Sequence, residues 1–127
     1  MVPEVRLHAD FPVDQIPLPA DACIVKSAST PTGTRKDVYT EAMVPRQRAA
    51  LLVAHFAEVL GKAGFKQIAE PVEDTSGSGP RILLRYAGAD ATVMSRQVLK
   101  GTGVRIVVRE DSGFPTWSAI GITVAIS

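Results

Sequence analysis

The chain has 127 residues, of which 46% are hydrophobic, and its 14 Lys and Arg residues nearly balance 13 Asp and Glu residues. This length suits a single domain over residues 1–127 with one hydrophobic core. The balanced charge gives no reason to expect nucleic acid or anionic membranes as partners, although it leaves a local charged patch open. No apolar run approaches the roughly 20 residues that span a bilayer.

The N-terminal segment, residues 1–19, contains four prolines and reads as an extended, partly irregular stretch over the surface. Proline removes a donor that a central strand needs, so we predict at most a short edge strand at 5–9. The segment lacks the basic start and apolar centre of a signal peptide. We therefore expect a cytoplasmic protein, or an exported or periplasmic one if a signal peptide was removed before Met1.

Residues 22–28 and 36–44 alternate as strands do, and the Thr-Pro-Thr-Gly sequence at 30–33 predicts a turn between them. This hairpin leads into a helix at about 46–63, where apolar residues recur at helical spacing over an arc of about 120°. Pro45 suits its first turn and Gly64 the position after its end. Two features do not fit: Leu51 is on the polar side, and two arginines, Arg46 and Arg48, stand where the helix dipole disfavours cations.

The chain after the helix reads as short strands at 66–72, 81–87, 91–99, 104–109 and 120–126, with a polar, glycine-rich loop at 73–80. Short turns between strands imply antiparallel pairing. We therefore predict an α+β fold in the order ββ-α-ββββ, with an antiparallel sheet of about five to six strands and one helix packed on one face. The last strand is rich in β-branched residues, and as an edge strand it would pair with a second copy or another protein partner.

The segment IPLPADA at 16–22, the strand pair after it and the helix ending FAEVLGKAGF at 56–65 resemble small extracytoplasmic modules of bacterial lipoproteins and secreted proteins of unknown function. The resemblance covers roughly residues 16–109. It implies a bacterial, exported, non-enzymatic α+β domain. It carries no catalytic residue over to this chain.

Catalytic chemistry has little support in the residue pattern. His8, His55 and the single cysteine, Cys23, do not stand at metal-ligand spacing, and no nucleophile elbow occurs. We predict no catalytic residues, no metal and no cofactor, and the pattern favours a protein that is not an enzyme. The Lys-Gly-Thr-Gly sequence at 100–103 precedes a strand, so it is a hairpin turn rather than a dinucleotide-binding loop.

Arginine is the residue type that does point to a binding surface. The period of two along a strand places Arg81 with Arg85, and Arg105 with Arg109, on faces opposite the apolar ones. Arg96 is predicted on the strand between them. Guanidinium groups bind carboxylates and phosphates through paired hydrogen bonds, so we predict an anionic ligand at these residues. A solvated face neutralised by neighbouring acidic residues would explain the same pattern.

These observations favour a non-enzymatic binding or assembly module from a bacterium, without defining its specific function. One alternative is a small ligand-binding protein or enzyme with a pocket between helix and sheet, lined by His55 and Tyr86. A second alternative is binding of an anionic polymer through the arginine-rich sheet face.

Overall fold

A computed structural model describes residues 6–74 and 81–127 of the protein. Part of the predicted edge strand at 5–9 and part of the predicted loop at 73–80 lie outside these residues. The elements in chain order are β1 (Cys23–Thr32), β2 (Arg35–Pro45), α1 (Ala49–Lys62), β3 (Lys66–Asp74), β4 (Arg81–Ala87), β5 (Thr92–Met94), β6 (Gln97–Lys100), β7 (Gly103–Arg109) and β8 (Trp117–Ile126).

Six of these strands form one antiparallel sheet in the order β1-β2-β8-β7-β4-β3, and α1 packs on one face of it. The α+β prediction and the number of strands are confirmed. The helix begins at Ala49, three residues later than predicted, because Arg48 has an extended backbone and Arg46 N still bonds to Thr116 O. No helix among the described residues is long and apolar enough to cross a membrane.

The prediction that the last strand is an edge strand was wrong. β8 pairs with β2 on one side and with β7 on the other, so its backbone groups already have partners. Its inward residues Ser118, Ile120, Ile122 and Val124 are all buried, as the centre of a sheet requires. Self-association by pairing with this strand therefore loses its physical basis, and the edges of the sheet are β1 and β3.

The prediction that residues 91–99 form one strand of the large sheet was also wrong. It is broken at Ser95 and Arg96, whose φ values of 51° and 63° form a two-residue hairpin turn between β5 and β6. These two strands form a separate sheet, and β4 pairs directly with β7. The hairpin packs on the large sheet at Gly103. Val98 approaches so closely there that a Cβ atom on residue 103 would lie 3.0 Å from Val98 Cγ2.

The core lies between the sheet and two covering elements. The helix α1 covers β4 and β7 with Leu52, Phe56 and Leu60, which are fully buried. The N-terminal segment covers the other half of the same face and buries Phe11 and Ile16 there. This proline-rich segment therefore contributes to the core instead of only crossing the surface.

The start of α1 is stabilised from a distant part of the chain. Arg48 provides no side-chain cap, and Ala49 N instead donates to Glu110 Oε1 at 2.8 Å. A carboxylate is favourable at the positive end of the helix dipole. Arg46 Nη1 lies 3.9 Å from Asp111 Oδ1, so an acidic residue of the loop between β7 and β8 offsets one of the unfavourable arginines.

Candidate anion-binding site

The face of the sheet opposite α1, here called the outer face, is built by the alternate residues of the same strands. Along its central strand β8 this face carries small residues, Ala119, Gly121, Thr123 and Ala125. Longer side chains flank β8 on both sides: β7 and, beyond it, β4 contribute arginines on one side, and β2 contributes Tyr39 and Glu41 on the other. The result is a trough along β8 with arginine side chains on one side of it.

Four of the predicted arginines are paired directly across β4 and β7. Arg85 is opposite Arg105, and Arg81 is opposite Arg109. Directly opposed residues have Cβ atoms about 4.5–5.5 Å apart, where like charges are destabilising. Arg81 and Arg109 each take part in another interaction. Within residues 6–74 and 81–127, Arg85 and Arg105 have no ion pair.

The hairpin β5–β6 turns this part of the outer face into a cleft of about 340 Å³. Gln97 and Val98 form its wall, and Thr123 and Ala125 contribute to its floor. Arg96, predicted on a sheet strand, lies at the hairpin turn yet still reaches the same cleft as Arg85 and Arg105. The arginine cleft is defined by Arg35, Arg85, Arg96 and Arg105.

The arginine cleft has four guanidinium groups and one carboxylate in its lining, a formal excess of three positive charges. The carboxylate is that of Asp37, whose Oδ1 lies 3.2 Å from Arg35 Nε. That oxygen is buried and has no hydrogen bond of acceptable geometry within the described residues. Asp37 therefore offsets Arg35 and leaves the charges of Arg85, Arg96 and Arg105 without an acidic partner there.

A larger space of about 800 Å³, here called the β3 groove, opens beside the arginine cleft. Ile68, Arg85 and Arg96 line both spaces, so the groove and the cleft adjoin at these three residues. Its remaining lining comes from β3 and from one residue of β4: Gln67, Ala69, Glu70, Pro71, Val72 and Leu83.

The acidic residue Glu41 on the outer face is bonded to a tyrosine rather than to the cleft. Tyr39 donates its phenolic hydrogen to Glu41 Oε2 at 3.2 Å. Burial raises the pKa of Tyr39, and the charge and hydrogen bond of Glu41 raise this pKa further. The phenol therefore stays protonated near neutral pH and continues to donate to this carboxylate.

The two residues of the alternative pocket, His55 and Tyr86, have separate surroundings. His55 Nε2 lies 3.0 Å from Pro17 O, and its ring meets Phe56 edge to face with centroids 5.1 Å apart. Tyr86 is only 5% exposed and belongs to the core, where burial raises the pKa of its hydroxyl. These contacts show that both side chains pack within the fold, and they lend little support to a pocket between helix and sheet.

Sequence reasoning missed Arg35, Ile68 and the β3 groove. Arg35 reaches the cleft because β8 brings β2 close to β7, and local periodicity carries no signal for that arrangement. Among the described residues, no three His, Cys, Asp or Glu side chains converge as metal ligands would. No family model, curated protein or solved structure matches this chain. The resemblance to exported bacterial modules therefore stays a prediction.

Proposed function

We propose that this protein is a non-enzymatic binding module and that its arginine cleft holds the anionic group of a ligand. The observation that carries the proposal is the direct opposition of Arg85 and Arg105, with Arg96 brought beside them by the hairpin. Opposed like charges raise the free energy of the folded state. An anion between the guanidinium groups would replace this repulsion with attraction.

The chemistry of the cleft favours a phosphate or a carboxylate. A planar guanidinium group presents paired N–H donors that match two oxygens of either group. Thr123 on the floor adds a hydroxyl that can donate to a third oxygen. The volume of the cleft is near the lower end of the roughly 300–1,000 Å³ typical of small-molecule sites, which suits a compact anionic group.

Binding of an anionic polymer is the weaker candidate. A polymer requires cationic side chains along an extended track. Arg81 and Arg109, which would extend the track along β4 and β7, already take part in other interactions. Three arginines that have no ion pair among the described residues, Arg85, Arg96 and Arg105, meet in the cleft instead, at one end of the sheet.

Titration of the protein with inorganic phosphate and pyrophosphate, followed by calorimetry and by amide chemical shifts, tests this proposal. The double variant Arg85→Ser/Arg105→Ser should bind at least about tenfold more weakly, since each charge-assisted hydrogen bond contributes about 1.5–3 kcal/mol. Shifts in the wild type should cluster on β4, β7 and the β5–β6 hairpin.

The matched control is Arg46→Ser/Arg48→Ser, which also removes two positive charges, but outside the cleft. Arg46 follows the far end of β2, about 35 Å from Arg35 by strand rise. The control should bind phosphate as the wild type does. Equal loss in both double variants would reduce the effect to net charge, and unchanged binding in Arg85→Ser/Arg105→Ser would contradict the proposal.

A further inference from the structure

We infer that the ligand is an amphipathic anion, with its phosphate or carboxylate head in the arginine cleft and an apolar tail along the β3 groove. This inference rests on the proposed function, because it assumes that the cleft holds the anion. It adds the class of molecule to which that anion belongs: a single alkyl or aryl chain with one charged end.

The shared lining of the two adjoining spaces is the first observation. Arg85 and Arg96 line both the cleft and the groove, so a head bound between these guanidinium groups directs the rest of the molecule along β3. The groove, at about 800 Å³, exceeds the cleft, at about 340 Å³. The groove therefore has room for a part of the ligand that the cleft does not hold.

The irregular pairing of β3 explains how this groove arises. Two residues, Ile68 and Ala69, stand opposite Arg85, because the register between β3 and β4 shifts between Gln67 and Ala69. A bulge of this kind bends the strand and re-aims side chains. A second shift, between Ala69 and Val72, includes Pro71, which has no N–H to donate to the ladder.

The lining of the groove includes apolar side chains that a tail could cover and one carboxylate that disfavours an anion. Ile68 and Leu83 are half-buried, and Val72 is 54% exposed, so apolar surface remains for a tail to cover. Glu70 is exposed and belongs to the same groove. Its charge disfavours a second anion there, which leaves the arginine end for the head and the β3 end for the tail.

A series of methyl, butyl and octyl phosphate, each kept below its critical micelle concentration, tests the inference by calorimetry. Each methylene buried in the groove should raise affinity by up to about fourfold, so octyl phosphate should bind at least tenfold more tightly than butyl phosphate. Octanoate in the same titration distinguishes a carboxylate head from a phosphate head.

Variants separate the tail site from the head site. Val72→Ser and Ile68→Ser/Val72→Ser should each reduce the gain from butyl to octyl while leaving inorganic phosphate binding unchanged. Arg85→Ser/Arg105→Ser should weaken every ligand in the series. The matched control, Val13→Ser, replaces a valine that is 42% exposed in the N-terminal segment and should leave the whole series unchanged.

The possible outcomes are distinct. Binding of inorganic phosphate with no gain from the octyl chain would overturn the inference and leave the proposed function standing. Absence of binding to every phosphate and to octanoate would overturn both. Binding to phosphatidylglycerol vesicles without binding to monomeric octyl phosphate would also overturn the inference, because the groove would then not hold a single chain.

Discussion

The two faces of the sheet are made by neighbouring residues of the same three strands, yet their chemistry is opposite. Leu84, Ile106 and Ile122 form one row across β4, β7 and β8 and have 0% exposure under the core. The next row, Arg85, Arg105 and Thr123, crosses the same strands on the outer face. The inner row stabilises the fold, whereas the outer row places two cations opposite each other. This contrast points to a binding role for the outer row.

The largest expected effect is on the inner row. Ile106→Ala should lower the free energy of unfolding by about 3–4 kcal/mol, because truncation of a fully buried side chain loses its transfer free energy and leaves a cavity. Urea denaturation measures this change. Leu51→Ala, at a helix position that is 58% exposed, is the control and should change stability by under about 0.5 kcal/mol. A loss below 1 kcal/mol for Ile106→Ala would contradict the assignment of the core.

Replacement of one member of the outer row should separate stability from binding. Arg85→Glu places opposite charges across β4 and β7, which should raise the free energy of unfolding by up to about 1 kcal/mol. The same change should reduce phosphate affinity at least about tenfold, since it inserts an anion into the cleft. Calorimetry and urea denaturation of one preparation measure both quantities. A variant that is less stable and binds phosphate as before would contradict a binding role for the outer row.

The contact between the sheet and the helix start gives an effect of intermediate size. Glu110→Ala should cost about 1 kcal/mol, because it removes the acceptor of Ala49 N and a favourable charge at the helix dipole. Denaturant melts measure the loss. Glu70→Ala, on the rim of the β3 groove and exposed, is the matched control and should leave stability nearly unchanged. Equal stability of the two variants would show that Glu110 does not cap α1.

The smallest effect concerns the outer-face tyrosine. Tyr39 should ionise above its ordinary range, because burial and Glu41 raise its pKa. Since the folded-state pKa is raised, the associated stability is present below the pKa of the unfolded chain, about 10, and is lost as pH rises through the folded value. Glu41→Gln should bring the tyrosinate absorbance transition back toward lower pH. An unchanged transition would show that Glu41 has no effect on this phenol.

Local periodicity predicts much of this molecule. A period of 3.6 identifies α1 from its apolar stripe, and a period of two assigns Ile106 to the core and Arg105 to the opposite face. Both signals lie within one element, so sequence is enough to detect them.

Relations between distant elements could not be predicted in this way. The central place of β8 depends on β2 and β7 closing around it. Ser95 and Arg96 form the turn with positive φ, a conformation that usually requires Gly or Asn. Neither residue type is present, so the sequence does not indicate this turn. The sequence therefore predicted arginines on an outer face but not the hairpin that makes a cleft of them.

Ligand-dependent stability tests most directly whether the outer row binds an anion. The free energy of unfolding should be measured against phosphate concentration, with chloride at matched ionic strength, for the wild type and for Arg85→Ser/Arg105→Ser. A bound anion adds about 1.4 kcal/mol for each tenfold rise in phosphate above its dissociation constant, whereas the general salting effect of phosphate acts on both proteins alike. The free energy of unfolding should rise more steeply with phosphate for the wild type; parallel curves for the two proteins would contradict anion binding by the outer row.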